Sequence, residues 1–274
     1  MMARCLFLIL SICFLIFHSG RAQNDWCKMK LNGKVKTCKE ITLRDSVVFQ
    51  DDHCDHYVVF DEKGNMVRSD DYKDDGSVKK SIRYVYDKDG NLSELIQYND
   101  DGTPYSKRSY VYNDKKRVRE VNVSYYSDGL PLKHTYGYND KGQLTHIVDY
   151  DFEGKLFKNF SFTYDHRGNL TEEKFYLPYG KLYNRFVFVY DNKDNLIEKQ
   201  SYDAENILFH RDIYKYDTHS NLIEEKQYHY RGKRYSLATY QYSYRFDDQG
   251  NWIYKTIVYA DHSSRIVERE IEYY

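Results

Sequence analysis

The stretch of sequence that decides the fold runs from Tyr84 to Leu92 and reads Tyr-Val-Tyr-Asp-Lys-Asp-Gly-Asn-Leu. An aspartate that opens a four-residue turn closing on glycine is typical of a type I turn followed by a left-handed residue, which suits a β-hairpin. Aromatic and aliphatic residues flank this turn, as in strands that bury one face. The stretch therefore predicts two antiparallel strands joined at residues 87–90.

The same turn recurs at a fixed period along the chain. If its first aromatic residue is position zero, the next unit begins 26 residues later six times in succession, and the last begins after 30 residues. A second, weaker copy of the turn starts with a tyrosine at position twelve in most units. Each unit therefore contains two turns and two strands, as expected of a repeat protein. The units begin at Phe60, Tyr86, Tyr112, Tyr138, Tyr164, Tyr190, Tyr216 and Phe246.

Eight such double-hairpin units predict an all-β fold, an up-and-down antiparallel meander of about sixteen strands over residues 60–274. Positions zero, six, twelve and 24 carry aromatic and aliphatic side chains, whereas odd positions carry mostly Lys, Arg, Ser, Thr and Asp. This alternation predicts one buried face and one wet face. Because a one-faced sheet cannot leave its apolar side bare in water, we expect it to roll into a spiral or shell-like sheet.

Two copies of the turn motif resemble those of a known repeat family. Tyr84-x-Tyr86-Asp87-x-x-Gly90-Asn91-Leu92 and Tyr244-x-Phe246-Asp247-x-x-Gly250-Asn251 resemble YD (RHS-type) repeats. The resemblance implies a spiral β-sheet shell that is exported or surface-associated, with carbohydrate binding or toxin enclosure as roles. The unit is longer than the usual one, and no RHS core motif or toxin domain follows the repeats. We therefore expect the shell and the surface location rather than toxin delivery.

Residues 1–22 have the features of a secretory signal peptide. Arg4 precedes an apolar run from Cys5 to Phe17, and small residues follow at Gly20 and Ala22. The run is too short for a membrane-spanning helix, which needs about 20 apolar residues. We expect export to the periplasm, the cell surface or the medium, with no transmembrane helix after cleavage. The Ala-Gln ending resembles secreted proteins of Bacteroidetes.

Residues 23–59 are expected to form an N-terminal β-hairpin cap. Cys27 and Cys38 lie symmetrically about Asn32-Gly33, and Asn-Gly is a strong two-residue hairpin signal. Residues directly opposite each other across a hairpin are within disulfide range, and export favours disulfides. The geometry predicts a Cys27–Cys38 bridge, with Cys38–Cys54 as the alternative pairing.

The charge and the motifs argue against several classes of function. There are 41 basic and 42 acidic residues, so no basic excess is available to bind nucleic acid. The one dense group of metal-ligand types, from Asp51 to His56, is interpreted as a polar loop, and the aspartates of the turns as caps of their own turns. We predict no metal, no cofactor and no enzymatic activity.

A row of glutamates at position eight is the other candidate for a catalytic site. We expect it on the apolar face, paired with tyrosine hydroxyls or arginine, because glycoside hydrolysis needs one specific carboxylate pair rather than a periodic row. The row consists of Glu94, Glu120, Glu172, Glu198 and Glu224.

Position nineteen is the candidate ligand-binding position. It is predicted to lie on the wet face, yet it is aromatic in five units, and exposed rings in a regular row suit stacking on a periodic ligand such as a polysaccharide. The sequence predicts a secreted or cell-surface scaffold that binds a glycan or a protein without catalysis. The alternatives are a structural, shielding RHS-like shell and an outer-membrane β-barrel. The candidate residues are Tyr105, Phe157, Tyr183, Phe209 and Tyr235.

Overall fold

The computed structural model describes residues 25–43, 54–126 and 132–274, so the predicted signal peptide and Asp51–His53 lie outside the described residues. The described part begins with a short helix, α1 (Asp25–Lys28), and a 3-10 helix (Pro178–Gly180) interrupts one later turn. The strands are β1 (Val35–Leu43), β2 (Cys54–Phe60), β3 (Met66–Tyr72), β4 (Val78–Tyr86), β5 (Leu92–Tyr98), β6 (Pro104–Tyr112), β7 (Val118–Tyr125), β8 (Leu132–Tyr138), β9 (Leu144–Tyr150), β10 (Leu156–Tyr164), β11 (Leu170–Tyr176), β12 (Leu182–Tyr190), β13 (Leu196–Tyr202), β14 (Leu208–Tyr216), β15 (Leu222–Arg231), β16 (Arg234–Phe246), β17 (Trp252–Tyr259) and β18 (Ser264–Tyr273).

The strands form a closed antiparallel barrel. Each strand pairs with the next along the chain, and β1 pairs with both β2 and β18; Lys39, for example, lies opposite Tyr57 on one side and Glu270 on the other. The repeats supply sixteen strands, β3 to β18, and β1 and β2 complete a ring of eighteen. The prediction of an all-β antiparallel meander is confirmed. The prediction of about sixteen strands in a spiral sheet is wrong, because eighteen strands close into a barrel. Closure gives every described strand two partners, so no unpaired sheet edge remains among them.

The segment before the repeats joins the barrel instead of forming a separate hairpin. Residues 25–28 are helical, and the backbone of Asn32 exchanges hydrogen bonds with the side-chain amide of Asn251, which lies in the last repeated turn. β1 finds its hydrogen-bond partners in β2 and β18, so no local hairpin forms about Gly33. Residues 25–34 thereby pack against the start and the end of the barrel at once.

Among the described side chains, Cys38 and Cys54 are not bonded to each other. Cys38 is buried, and burial raises the pKa of its thiol to about 11; Cys54 is half-buried. The alternative Cys38–Cys54 bridge is therefore not formed. The side chain of Cys27 lies outside the described part of the structure, and the Cys27–Cys38 bridge stays a prediction.

The repeated turns have the geometry that the sequence predicts. In the turn at residues 87–90, Oδ1 of Asp87 accepts hydrogen bonds from the backbone amides of Asp89 (2.9 Å) and Asn91 (2.8 Å). Gly90 has a left-handed φ of 81°, and Ser220, which replaces glycine in another unit, has a φ of 64°. The aspartates are satisfied within their own turns, as expected.

A β-bulge after each of these turns changes which residues share a face. Tyr86 lies opposite Leu92, but Val85 lies opposite Glu94, so Ser93 is an extra residue. Beyond the bulge, positions eight, ten and twelve point away from the face that holds positions zero and six. The prediction that the glutamates and the position-twelve tyrosines lie on the apolar face is therefore wrong, because simple alternation does not count the extra residue.

The displaced glutamates form a ladder of ion pairs on the opposite face. Four of them lie next to a basic residue of the following strand, as in the contact of 2.7 Å between Nζ of Lys133 and Oε2 of Glu120. Glu224 instead pairs with Lys215 of the preceding strand at 2.7 Å. Tyrosines at position twelve join this face, where the guanidinium of Arg185 stacks on Tyr202 at 4.5 Å. Equivalent pairs are Glu94–Lys107, Glu172–Arg185 and Glu198–Arg211.

The apolar face is the inner wall of the barrel. Leu95, Val121, Ile147 and Phe188 are at most 7% exposed, although the strands make their main contacts only with their neighbours in the ring and residues 25–34 cover one part of this face. Most of the nearly inaccessible side chains lie on this face, which identifies it as the concave side, where curvature brings side chains together. The ion-pair ladder accordingly lies on the outer wall.

Candidate functional site

The predicted aromatic residues lie at one end of the barrel. We call this the second-turn end, because it carries the turns that follow position twelve, and we call the opposite end the first-turn end. Tyr98 pairs with Pro104, but Gln97 pairs with Ser106, so Tyr105 is the extra residue of a second bulge. The same register shift makes Phe157, Tyr183 and Phe209 extra residues in β10, β12 and β14. Tyr235 lies in a regular hairpin opposite Tyr230.

All five rings are open to solvent. They are 38, 51, 43, 40 and 59% exposed in chain order from Tyr105 to Tyr235. A bulge residue has no partner directly opposite it, which leaves its side chain free to project from the end of the hairpin. The five residues are called the aromatic rim below. The sequence places them on the wet face, and in the structure they lie at bulges or a hairpin at the end of the barrel.

Neighbouring aromatic residues hold several of the rim rings in place. Tyr183 packs edge-on against the buried ring of Phe175, with centroids 5.1 Å apart, and Tyr105 packs in the same way on Tyr125 at 5.6 Å. Tyr235 contacts Tyr228 at a centroid distance of 5.5 Å. These contacts reduce the conformational freedom of the rings while one side of each remains accessible.

Apolar side chains in three consecutive turns extend the same surface. Phe152, Tyr179 and Ile207 are 50, 103 and 58% exposed, and each lies a few residues before a rim residue. Tyr179 has a left-handed φ of 70° and projects fully into solvent. Sequence reasoning missed these residues; the signal was an apolar residue inside an otherwise polar turn.

The inner wall is apolar in one half of the barrel and charged in the other. Position nine is Leu95, Val121 and Ile147 in the second to fourth units, but it is charged in the last four. Among these charges, Glu173 is only 8% exposed, and burial raises its pKa to about 7. The charged residues at position nine are Glu173, Lys199, Glu225 and Lys255.

Aromatic neighbours surround the inner-wall charges. The hydroxyl of Tyr242 donates to Oε2 of Glu225 at 2.7 Å, and the ammonium of Lys199 lies 5.5 Å from the ring centre of Phe186. Sequence reasoning placed glutamates on this face but named the wrong ones. The change from aliphatic to charged residues at position nine was the available signal, and it becomes readable only when the bulge is counted.

Three aspartates are nearly inaccessible and lie beside basic side chains. Asp149 is 3% exposed, with Nδ1 of His134 at 2.5 Å, and Asp212 is 6% exposed, with Nε2 of His210 at 2.6 Å. Asp70 is fully buried and pairs with Arg68 at 2.7 Å. Within the described ranges no group of three or more His, Cys, Asp and Glu side chains converges in a way that could hold a metal ion.

The outer carboxylates are engaged in ion pairs. The hydrogen bond from Lys133 holds the pKa of Glu120 below its usual range, and the hydrogen bond from Arg211 does the same for Glu198. An ionised, paired carboxylate in a periodic row does not provide the raised-pKa acid that glycoside hydrolysis requires. In the described part of the chain, no helix is long and apolar enough to span a membrane.

Comparisons with known proteins give distant structural similarities. No protein-family model and no curated protein matches the sequence, so the YD (RHS-type) resemblance stays a prediction. A porin-like protein from Bacteroides uniformis is 13% identical, with 88% of this chain and 99% of that chain covered and a TM-score of 0.48. The crystal structure of TcdB2-TccC3 is 12% identical, with 91% of this chain and 17% of that chain covered and a TM-score of 0.23. A Bacteroides fragilis protein of unknown function is 14% identical, with 58% and 87% covered and a TM-score of 0.16. At these identities and TM-scores the similarities establish neither a family nor a function for this chain.

Proposed function

We propose that this protein is an exported, non-catalytic β-barrel whose aromatic rim binds an extracellular polysaccharide. The observation that carries the proposal is the exposure of one aromatic ring at the second-turn end in five of the eight units. Sugar rings present apolar faces that stack on aromatic side chains, and a periodic polymer can engage several equivalent positions at once. Binding several weak sites on one polymer raises the overall affinity by multivalency.

The spacing and the rigidity of the rim support this proposal. Equivalent strands lie two apart in the sheet, so the rim rings from Phe157 to Tyr235 recur about every 10 Å. Tyr105 lies about twice that distance from Phe157, because proline takes position nineteen in the unit between them. The edge-on contacts of Tyr105 and Tyr183 fix those rings before any ligand arrives, which lowers the entropy cost of binding. The turns next to the rim also carry a hydrogen-bonding group, the ammonium of Lys181.

An array of polysaccharides, together with pull-down on insoluble ones, tests the proposal. We expect the purified barrel to bind a subset of polymers with several accessible sugar faces and to leave their chain length unchanged after prolonged incubation. A folded protein that binds none of the arrayed polymers would overturn the proposal and favour the shielding role. Shortening of a bound polymer would contradict the non-catalytic part of it.

An outer-membrane barrel is the second candidate, and the closed ring of eighteen strands favours it. Bacterial outer-membrane barrels are closed and have even strand numbers. Two observations count against a lipid-facing wall here. A seven-residue strand such as Met66–Tyr72, tilted by about 40°, spans only about 18 Å, which is shorter than the apolar band of about 25 Å. The outer wall also carries the ladder of ion pairs, such as Glu120–Lys133.

Fractionation separates the two candidates. We expect the mature protein to stay in solution without detergent after cell lysis and ultracentrifugation. Recovery only in the detergent-extracted outer-membrane fraction, with heat-modifiable migration on gels, would support the membrane barrel instead.

A further inference from the structure

Two histidines on the inner wall face each other across neighbouring strands. His210 of β14 lies directly opposite His229 of β15, and their Nδ1 atoms are 3.0 Å apart. The ring centroids are only 4.2 Å apart and the planes are tilted by 51°, so the rings lie partly beside each other rather than end to end. His229 is exposed, so the pair is open to the interior of a barrel wide enough to hold water.

A buried carboxylate lies behind one of the two rings. Oδ1 of Asp212 is 2.6 Å from Nε2 of His210, and Asp212 is 6% exposed. At that distance Nε2 has to carry its proton, because a lone pair there would face a negative charge. With its proton on Nε2, His210 presents the lone pair of Nδ1 to His229. The same oxygen of Asp212 has no hydrogen-bond partner, so the carboxylate acts on His210 mainly as a charge.

We propose that His210 and His229 bind a divalent transition-metal ion through their Nδ1 atoms, with Cu²⁺ the preferred ion and water completing its coordination. Two ligands in cis positions at about 2.0–2.1 Å from one ion lie about 2.9 Å apart, whereas tetrahedral ligands lie about 3.4 Å apart. The observed 3.0 Å fits the cis arrangement of a tetragonal site. Cu²⁺ favours tetragonal geometry and imidazole ligands and stands highest in the order of divalent affinities.

Asp212 is the positioning residue of this site. A carboxylate beside the other ring nitrogen of a metal-bound histidine favours the tautomer that protonates that nitrogen and strengthens the ligand. Asp212 does this through its charge, because its Oδ1 makes no hydrogen bond to Nε2. The carboxylate lies on the side of His210 away from the shared Nδ1 position, so it does not compete for the ion. The cross-strand neighbours of the pair are Ser201 and Ser236, which add no positive charge beside the site.

Other histidines of the inner wall show what distinguishes this pair. His56 has Asp71 at 2.7 Å from its Nδ1, and His134 has Asp149 at 2.5 Å from the same atom. In both cases the carboxylate occupies the position that the second imidazole takes beside His210.

The proposal does not depend on polysaccharide binding, because it rests on the inner wall rather than on the aromatic rim.

Titration of the metal-free, untagged protein with CuCl₂, followed by calorimetry and electron paramagnetic resonance, tests the inference. We expect one ion per chain with a spectrum showing two coordinated nitrogens, and at least tenfold weaker binding for His210→Gln and for His229→Gln. Asp212→Asn should weaken binding about tenfold while keeping the two-nitrogen signature, as a positioning residue would. The matched control is His219→Gln, an exposed histidine of a first turn, which should bind as the wild type does.

Three results would overturn the site. The first is a wild-type spectrum with a single coordinated nitrogen, and the second is unchanged affinity in either histidine variant whose circular dichroism is normal. The third is an equal loss of affinity in His219→Gln, which would show that copper binds to histidines at large. Because the two histidine variants are independent, misfolding of one leaves the other to decide.

Discussion

The phenolic hydroxyl of Tyr112 donates a hydrogen bond to the backbone carbonyl of Leu92, 2.7 Å away and twenty residues earlier in the chain. Position zero of one unit thereby contacts position six of the unit before it. Equivalent bonds join Tyr86 to Met66, Tyr138 to Val118 and Tyr216 to Leu196. The repeat is thus linked from unit to unit by side chains as well as by the sheet, and position zero requires tyrosine rather than phenylalanine where this bond forms.

Removing one such hydroxyl should destabilise the barrel measurably. Tyr112→Phe leaves the carbonyl of Leu92 without this donor, and we expect a loss of about 1–2 kcal/mol in the free energy of unfolding. Chemical denaturation monitored by circular dichroism measures it. Tyr235→Phe, which removes a hydroxyl from an exposed rim ring, is the control and should change stability by less than about 0.5 kcal/mol. If Tyr112→Phe lowered the free energy of unfolding no more than Tyr235→Phe does, the inter-unit hydrogen bond would contribute nothing to stability.

Turns that lack glycine should be improved by it. Ser220 has a φ of 64°, and a left-handed conformation costs a non-glycine residue about 1 kcal/mol. We expect Ser220→Gly to raise the melting temperature. Gly168 has a φ of 99°, and Gly168→Val should lower the melting temperature because a β-branched side chain is strained there. A clear destabilisation by Ser220→Gly would contradict the role assigned to this turn.

The buried carboxyl of Glu173 should make stability depend on pH. Burial raises its pKa to about 7 in the folded state, whereas in the unfolded chain it ionises near 4.5. The unfolded state therefore loses its proton first, and stability falls as the pH rises from about 4.5 to 7 and levels off above. Between pH 4.5 and 8 the contribution of this group changes by about 3 kcal/mol.

Glu173→Gln should abolish that dependence and make the protein more stable than the wild type at pH 8. Denaturant unfolding at pH 4.5 and 8 measures the difference. Its neighbour Glu172 lies on the outer wall beside Lys174, so Glu172→Gln is the matched control and should bring no gain at pH 8. A free energy of unfolding that rises from pH 4.5 to 8 in the wild type, and by the same amount in both variants, would contradict the burial of Glu173.

The closed ring should tolerate the loss of a whole unit but not of half a unit. Deleting residues 138–163 removes two strands and leaves β18 antiparallel to β1, so we expect a soluble barrel of sixteen strands. Deleting residues 138–149 removes one strand and reverses the direction of every later one, so β18 would meet β1 in parallel. Size-exclusion chromatography with light scattering and circular dichroism compares the two. Aggregation of both deletions would show that the ring requires its full strand number.

The fold could be predicted from the sequence as far as its local geometry reaches. The 26-residue period, the aspartate-capped turns and sixteen of the strands follow from residues such as Asp87 and Gly90. Closure could not be predicted, because it depends on β1, which lies outside the repeat, and on β2, of which only Phe60 belongs to the first unit. The curvature of the sheet is the sum of small twists between neighbouring strands. The turn sequences alone do not determine whether the first and last strands meet.

The candidate site was predicted in part, for a different physical reason. The aromatic rim was found because its residues share position nineteen, and their exposure is confirmed. Their place at the end of the barrel was missed, as was the outward direction of Glu94, because a β-bulge inserts one residue and moves every later side chain to the other face. His210 and His229 are nineteen residues apart, so only the register of β14 and β15 brings them together.

The most direct test of polysaccharide binding at the aromatic rim is the affinity of a triple variant, Tyr183→Ser, Phe209→Ser and Tyr235→Ser, for a polymer that the wild type binds. The matched control replaces three other exposed apolar residues, Val85, Val189 and Ile223, which are 41, 40 and 38% exposed and lie away from the rim. We expect at least a hundredfold loss of affinity in the rim variant, no change in the control, and unaltered circular dichroism in both. Unchanged binding by a folded rim variant would contradict the account.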